Sequence, residues 1–159
     1  MEKIYYPRTI DSYLLEWKNE RAHKPLLLRG ARQVGKSSAV RQLGKTFKYF
    51  MEVNFERDKE IISVFTGNLK PKEITSRLAA FYGIPVVPGE TLLFLDEIQA
   101  CTPAIHSLWF FYEDYPELHV VAAGSLLEFA LKKMAFFGVG RVRSLFMYPM
   151  SFDEFLAAT

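Results

Sequence analysis

The chain has 159 residues, 50% of them apolar and 24% charged, the balance of an ordinary soluble globular protein long enough for one compact domain with its own core. Its net charge of +2 neither demands nor excludes an acidic partner, because nucleic-acid binding depends on how charge is clustered. A single cysteine, Cys101, excludes an intrachain disulfide and reads most simply as a small half-buried side chain.

Ile10, Leu14 and Trp17 recur at helical spacing and predict an amphipathic helix over about residues 8–21. Residues 25–29 form a short apolar run that ends at a glycine, the pattern of a buried strand. Residues 36 to about 46 read as a helix, and the aromatic-rich segment 49–55 as a second strand. Two helical stretches follow near 57–65 and 72–82, the second with Ile74, Leu78 and Phe81 on one face. After the turn residues Pro85, Pro88 and Gly89, residues 91–95 read as a third buried strand. Thr102-Pro103 predicts a helix start, a capping hydroxyl followed by proline at the first helical position, and that helix runs to about Tyr115. Residues 118–123 are a fourth strand, broken at Gly124-Ser125. A helix over 125–134, a glycine-containing loop and a fifth strand near 143–148 follow, and a capping box at Ser151-Phe152-Asp153-Glu154 opens a last helix.

Strands alternating with helices predict an α/β fold of three layers: a mostly parallel five-stranded sheet with helices on both faces. The 14 Phe and 8 Tyr suit well-filled helix–sheet interfaces and a hydrophobic surface for a partner to cover. The N-terminus opens without an apolar core region, so no signal peptide is read. The longest apolar stretch, 118–134, is interrupted by His119, Glu128, Lys132 and Lys133, so no membrane span is read and a cytoplasmic location is the default. Ligands on such sheets sit at the carboxyl ends of the strands, and both candidate chemical motifs fall there.

The first motif, Gly30-Ala31-Arg32-Gln33-Val34-Gly35-Lys36-Ser37, matches G-x-x-x-x-G-K-[ST] in full and is followed by Ser38. Its glycines let the backbone bend tightly, so that successive N–H groups point into one concavity. The helix opening at Lys36 adds the positive end of its dipole. Lys36 then reaches β- and γ-phosphates, and the Ser37 hydroxyl ligates Mg²⁺. The motif starts right after a predicted strand and opens a helix, as the chemistry requires.

The second motif is Leu92-Leu93-Phe94-Leu95-Asp96-Glu97, four apolar residues followed by two acids. A buried strand delivers Asp96 to Mg²⁺, and Glu97 is placed to orient or deprotonate water. A base aimed at water favours hydrolysis over phosphotransfer to a bound acceptor. No Asn-Lys-x-Asp segment occurs, which favours ATP over GTP. The chain between Lys36 and Asp96 holds the strand at 49–55 and two helices, which places an extra strand between the cradle strand and the acidic strand.

Ser125 closes the fourth strand and reads either as a γ-phosphate sensor or as the N-cap of the following helix. Arg141 either neutralises γ-phosphate charge, from the same chain or a neighbouring copy, or is simply solvated. Arg32 and Gln99 are weaker candidates, read mainly as local hydrogen bonders. His23, His106 and His119 lack metal-ligand spacing. Lys132, Lys133, Arg141 and Arg143 form a modest basic stretch, for which a solvated face is the simpler reading than a nucleic-acid footprint.

Together Gly30–Ser37, Leu93–Gln99, Ala123–Leu127 and Gly140–Phe155 resemble a prokaryotic AAA-type P-loop ATPase family over about residues 6–156. The resemblance implies Lys36 and Ser37 for phosphate and Mg²⁺, Asp96 for Mg²⁺, Glu97 as catalytic base and Ser125 as sensor. It also implies a lid and a C-terminal domain of unknown function, often likened to nuclease-like folds. Because the chain stops at Thr159, it is expected to be a truncated ATPase core. The expected function is Mg²⁺-dependent ATP hydrolysis coupled to a protein or nucleic-acid client, with a homo-oligomer allowed for. A nucleotide-binding switch with little turnover is the alternative, and a small-molecule kinase a weaker one.

Overall fold

The structure, a computed structural model, describes residues 3–68, 70–132 and 140–159. Five parallel strands, β1 (Leu26–Arg29), β2 (Tyr49–Asn54), β3 (Thr91–Asp96), β4 (His119–Gly124) and β5 (Arg143–Phe146), form one sheet in the order β2-β3-β4-β1-β5. β3 is buried along its whole length, which is why it reads as an unbroken apolar run ending in one acid.

Alternation along the strands divides the core in two. Leu27, Met51, Leu93, Leu95 and Ala122 face α3 (Pro71–Tyr82), α4 (Thr102–Asp114) and a 3-10 helix at Lys59–Phe65. Leu26, Leu28, Phe94, Val121 and Ala123 face α1 (Ile10–Asn19) and α2 (Lys36–Gly44). Trp17 of α1 is fully buried there, and its indole N–H donates to the Lys24 carbonyl at 2.6 Å. Burying a ring of that size contributes on the order of 3 kcal/mol. No helix among the described residues is long and apolar enough to cross a membrane.

Register sets the site. Arg29 of β1 pairs with Gly124 of β4, and Leu95 of β3 with Ala122 of β4. The carboxyl ends of β1, β3 and β4 therefore lie side by side, and the loops leaving them share one edge. An extra strand does separate the cradle strand from the acidic strand, as expected. It is β4; the strand at 49–54 lies outside β3 at the edge of the sheet.

Several elements differ in detail from their sequence expectation. Residues 59–65 wind as a 3-10 helix, with Ile61 and Phe65 buried; the β-branched run Ile61, Ile62, Val64 disfavours an α-helix there. The Thr102 hydroxyl makes no cap. Cys101, buried against the core, holds the cap position, and Thr102 falls inside the first turn. The helix expected over 125–134 is α5 (Leu127–Lys132), and residues 133–134 lie outside the described residues, as do Gly138 and Val139 of the following loop. The capping box is made: Ser151 Oγ accepts from Glu154 N at 3.1 Å, Glu154 Oε1 accepts from Ser151 N at 2.8 Å, and α6 (Phe152–Ala158) follows.

Candidate active site

The loop between β1 and α2 bends through left-handed backbone at Gln33 and Gly35. Gly30 is required for a different reason as well: a Cβ there would collide with the Met147 carbonyl, which closes over the loop from the strand side. Gly35, with φ 102°, caps α2 and aims its first amides at the concavity. Lys36 is almost buried, and its ammonium donates to the Gly30 and Ala31 carbonyls at 2.8 and 2.6 Å. Burial lowers its affinity for the proton, while the charges of Glu97 and Asp96 act the other way.

The acidic strand meets this loop directly. Ser37 Oγ donates to Asp96 Oδ2 at 2.7 Å, and the Glu97 amide donates to Asp96 Oδ1 at 2.9 Å. Asp96 is 3% exposed, and burial raises its carboxyl pKa against the opposing pull of those two bonds. Ser37 and Asp96 thus hold two hard oxygen ligands together beside an ammonium group, a donor set suited to Mg²⁺. Glu97 has φ 53°, a left-handed conformation that costs a non-glycine residue about 1 kcal/mol and persists only where neighbours hold it. Its Oε2 accepts from Gln99 Nε2 at 2.6 Å.

Ser125 lies next to the β4 residue that pairs with Arg29, and is 3% exposed. Its hydroxyl finds no partner among the described residues and does not cap α5, which starts two residues later. A buried hydroxyl without a partner costs roughly 1–3 kcal/mol, so it fits a site that an oxygen-rich ligand completes.

Arg141 is not brought to the cradle. Its guanidinium bonds Glu113 and stacks 4.1 Å from the Trp109 ring, near the end of α4. It precedes β5, whose first residue pairs with the first residue of β1, so it sits at the opposite edge of the sheet from the phosphate loop. Among the described residues Arg32 pairs with Glu56, at 3.7 Å on the surface. In the basic stretch Arg141 is paired with Glu113 and Arg143 with Glu20; Lys133 lies outside the described residues.

One residue of the site escaped the sequence reading. Arg8 donates from Nη1 to the Val34 carbonyl inside the loop, from Nη2 to the Tyr148 carbonyl and from Nε to Glu154, each at 2.8 Å. It braces the phosphate loop from outside and ties it to the start of α6. No spacing announces such a role, because its partners lie 26 to 146 positions away. Arg8, Ile10, Tyr13 and Met147 also line a cavity of about 400 Å³ beside the loop.

The model of an AAA domain family matches residues 22–156. Among solved structures, the chain is similar to the Walker-type ATPase PABY2304 of Pyrococcus abyssi, at 21% identity and a TM-score of 0.55, over 94% of this chain and 55% of that one. It is also similar to Cdc6p from Pyrobaculum aerophilum, at 16% identity and a TM-score of 0.52, over 99% of this chain and 52% of that one. These likenesses establish the α/β P-loop fold, and the chain spans about half the length of either structure. No curated protein matches it.

Proposed function

The chain belongs to the AAA domain family, and from that premise we propose that it binds ATP with Mg²⁺ and hydrolyses it to ADP and phosphate. The observation that carries this reading is the Ser37–Asp96 bond next to the Lys36 ammonium. Backbone amides of residues 30–38 bind the β- and γ-phosphates, and Lys36 exchanges its two loop carbonyls for phosphate oxygens. Ser37 and Asp96 would hold Mg²⁺, which when bound neutralises charge on the phosphate oxygens. Glu97 orients a water against the γ-phosphorus and takes its proton as the bond to the ADP oxygen breaks. Ser125 turns its free hydroxyl to the γ-phosphate or the water.

Nucleotide state would be coupled to a client or to a domain outside this chain. Phosphate release measured with Mg²⁺ and ATP tests the reading, alongside calorimetry. Release is expected from the wild type and absent in Lys36→Ala and Glu97→Gln; undiminished release in both variants would sink it.

A second reading has its own support. Arg141 is held by Glu113 and Trp109, and Arg8 is spent on the Val34 carbonyl, the Tyr148 carbonyl and Glu154, which leaves Lys36 as the cation the sequence motif supplies for phosphate. An isolated chain would then act as a nucleotide-binding switch with little turnover, until a neighbouring molecule supplies further positive charge. Tight ATP binding without multiple turnover favours this version.

A further inference from the structure

Glu97 has three side-chain torsions and stands on a left-handed backbone, so nothing in its own geometry fixes where its carboxylate points. A base displaced by an ångström loses on the order of 100-fold in rate. Something else must hold it.

The Gln99 amide is wedged between two strands' ends. Its Nε2 donates to Glu97 Oε2 at 2.6 Å, while its Oε1 is buried with no donor among the described residues. Oε1 rests against Gly124, where a Cβ would overlap it. Gly124 is β-sheet residue rather than turn, with no left-handed backbone of its own, so its lack of a side chain is explained by the amide it admits. Next to it stands Ser125, whose hydroxyl is also buried without a partner among the described residues, as is Nε of Arg29, the residue that pairs with Gly124.

We propose that Gln99 is the positioning residue that aims Glu97 at the attacking water, and that Gly124 is the vacancy on β4 that lets it do so. The inference rests on the hydrolytic reading above. Gln99 touches neither phosphate nor water; it acts through Glu97, and its unfilled Oε1 links that aim to the end of β4.

Two residues on different elements, Gln99 in the 3-10 turn Ile98–Ala100 and Gly124 on β4, should therefore give one phenotype. Gln99→Ala is expected to lower kcat on the order of 10-fold or more while leaving ATP affinity within about twofold. Gln99→Asn, which keeps the amide one methylene short, should show the same loss. In Gly124→Ala the new methyl pushes the flexible amide aside and should lower kcat similarly; added to Gln99→Ala it should cost nothing more, because the atom it displaces is gone. Affinity within about twofold reports that each variant is folded. Wild-type turnover in Gln99→Ala, with Glu97→Gln inactive, would overturn this inference and leave hydrolysis standing. So would a rise in turnover, which would make Gln99 a brake, or losses that multiply in the double variant. A wild type that releases no phosphate would overturn the hydrolytic reading itself, and this inference with it.

Discussion

The side chains of Ser37 and Asp96, 59 positions apart in sequence, meet in a 2.7 Å hydrogen bond that ties the start of α2 to the end of β3. Neither residue needs the other for the fold: Ser37 begins a helix that packs through Ala39, Val40 and Leu43, and β3 is held by its neighbours. Keeping a carboxylate 3% exposed beside a hydroxyl is costly unless both serve a ligand. Asp96→Asn and Ser37→Ala should therefore leave the protein folded but remove the benefit of Mg²⁺. Titrating ATP with Mg²⁺ and with chelator checks this. The wild type should bind on the order of 10-fold or more tighter with the metal, and each variant about equally in both. A metal dependence preserved in Asp96→Asn would remove the pair from the metal site.

Lys36 and Glu97 should separate binding from turnover. Lys36 supplies ground-state attraction to phosphate as well as charge for the transition state, so Lys36→Ala is expected to weaken ATP binding by at least about 10-fold. Glu97→Gln keeps the shape and the bond to Gln99 in altered polarity, but offers no base. Its affinity should stay near that of the wild type while phosphate release falls by about 100-fold or more. Equal losses of affinity in both variants would contradict the division of labour.

Arg8 should matter to stability and to the cradle together. Its pair with Glu154 has side chains only 8% and 12% exposed. Burial alone would raise the Glu154 carboxyl, but the bonds from Ser151 N–H, Thr9 N–H and Arg8 outweigh it and bring the pKa down to about 2, from 4.5. The native value lies below the unfolded one, so this contribution is complete above about pH 4.5 and is lost as pH falls toward 2. Arg8→Ala leaves a buried carboxylate without its ion partner and should cost about 3 kcal/mol at neutral pH. Because it also frees the Val34 carbonyl, ATP affinity should drop with it. Chemical denaturation at pH 7 and 3, with calorimetry on the variant, measures both. An Arg8→Ala protein with normal stability and affinity would reduce the brace to a surface contact.

What could be read from sequence was what the chain makes locally. Residues 30–37 announce themselves because eight consecutive positions build one bend, and Asp96-Glu97 because a buried strand ending in acids is visible as a pattern. The strand order was not legible in the same way, since connection lengths do not say which strand enters between β1 and β3. The same limit hid Arg8, whose partners are a carbonyl of the phosphate loop, the Tyr148 carbonyl and a distant carboxylate. It also hid the meaning of Gly124, which depends on an amide arriving from the 3-10 turn after β3. Arg141 looked available because its loop is basic and glycine-flanked; register with β1 instead carries it to the far edge, where Glu113 and Trp109 take its charge.

At that far edge a buried His23 and a half-buried His119 form a pair, with ring centroids 3.7 Å apart and planes perpendicular, against Trp17 and Phe47. His119 Nε2 lies 2.8 Å from the Lys18 carbonyl, so the neutral ring is assigned its proton there and donates it. Burial pushes the His119 pKa down to about 4 from 6.5; the Lys18 carbonyl opposes this, and the charges of His23 and Lys18 add to it. His23 shifts the same way, chiefly through burial, with Glu20 opposing. The unfolded chain therefore takes up protons before the native one does. Stability from this pair is complete above about pH 6.5 and falls as pH drops toward 4, by about 2 kcal/mol for a half-buried ring. This window lies above the one set by Glu154, so the two are separable. Denaturation midpoints from pH 7 to 4.5 should decline in the wild type and decline less in His119→Gln, whose amide can still donate to Lys18 without titrating while His23 keeps its share. A flat wild-type profile over that range would mean that the pair opens to water and carries no proton linkage.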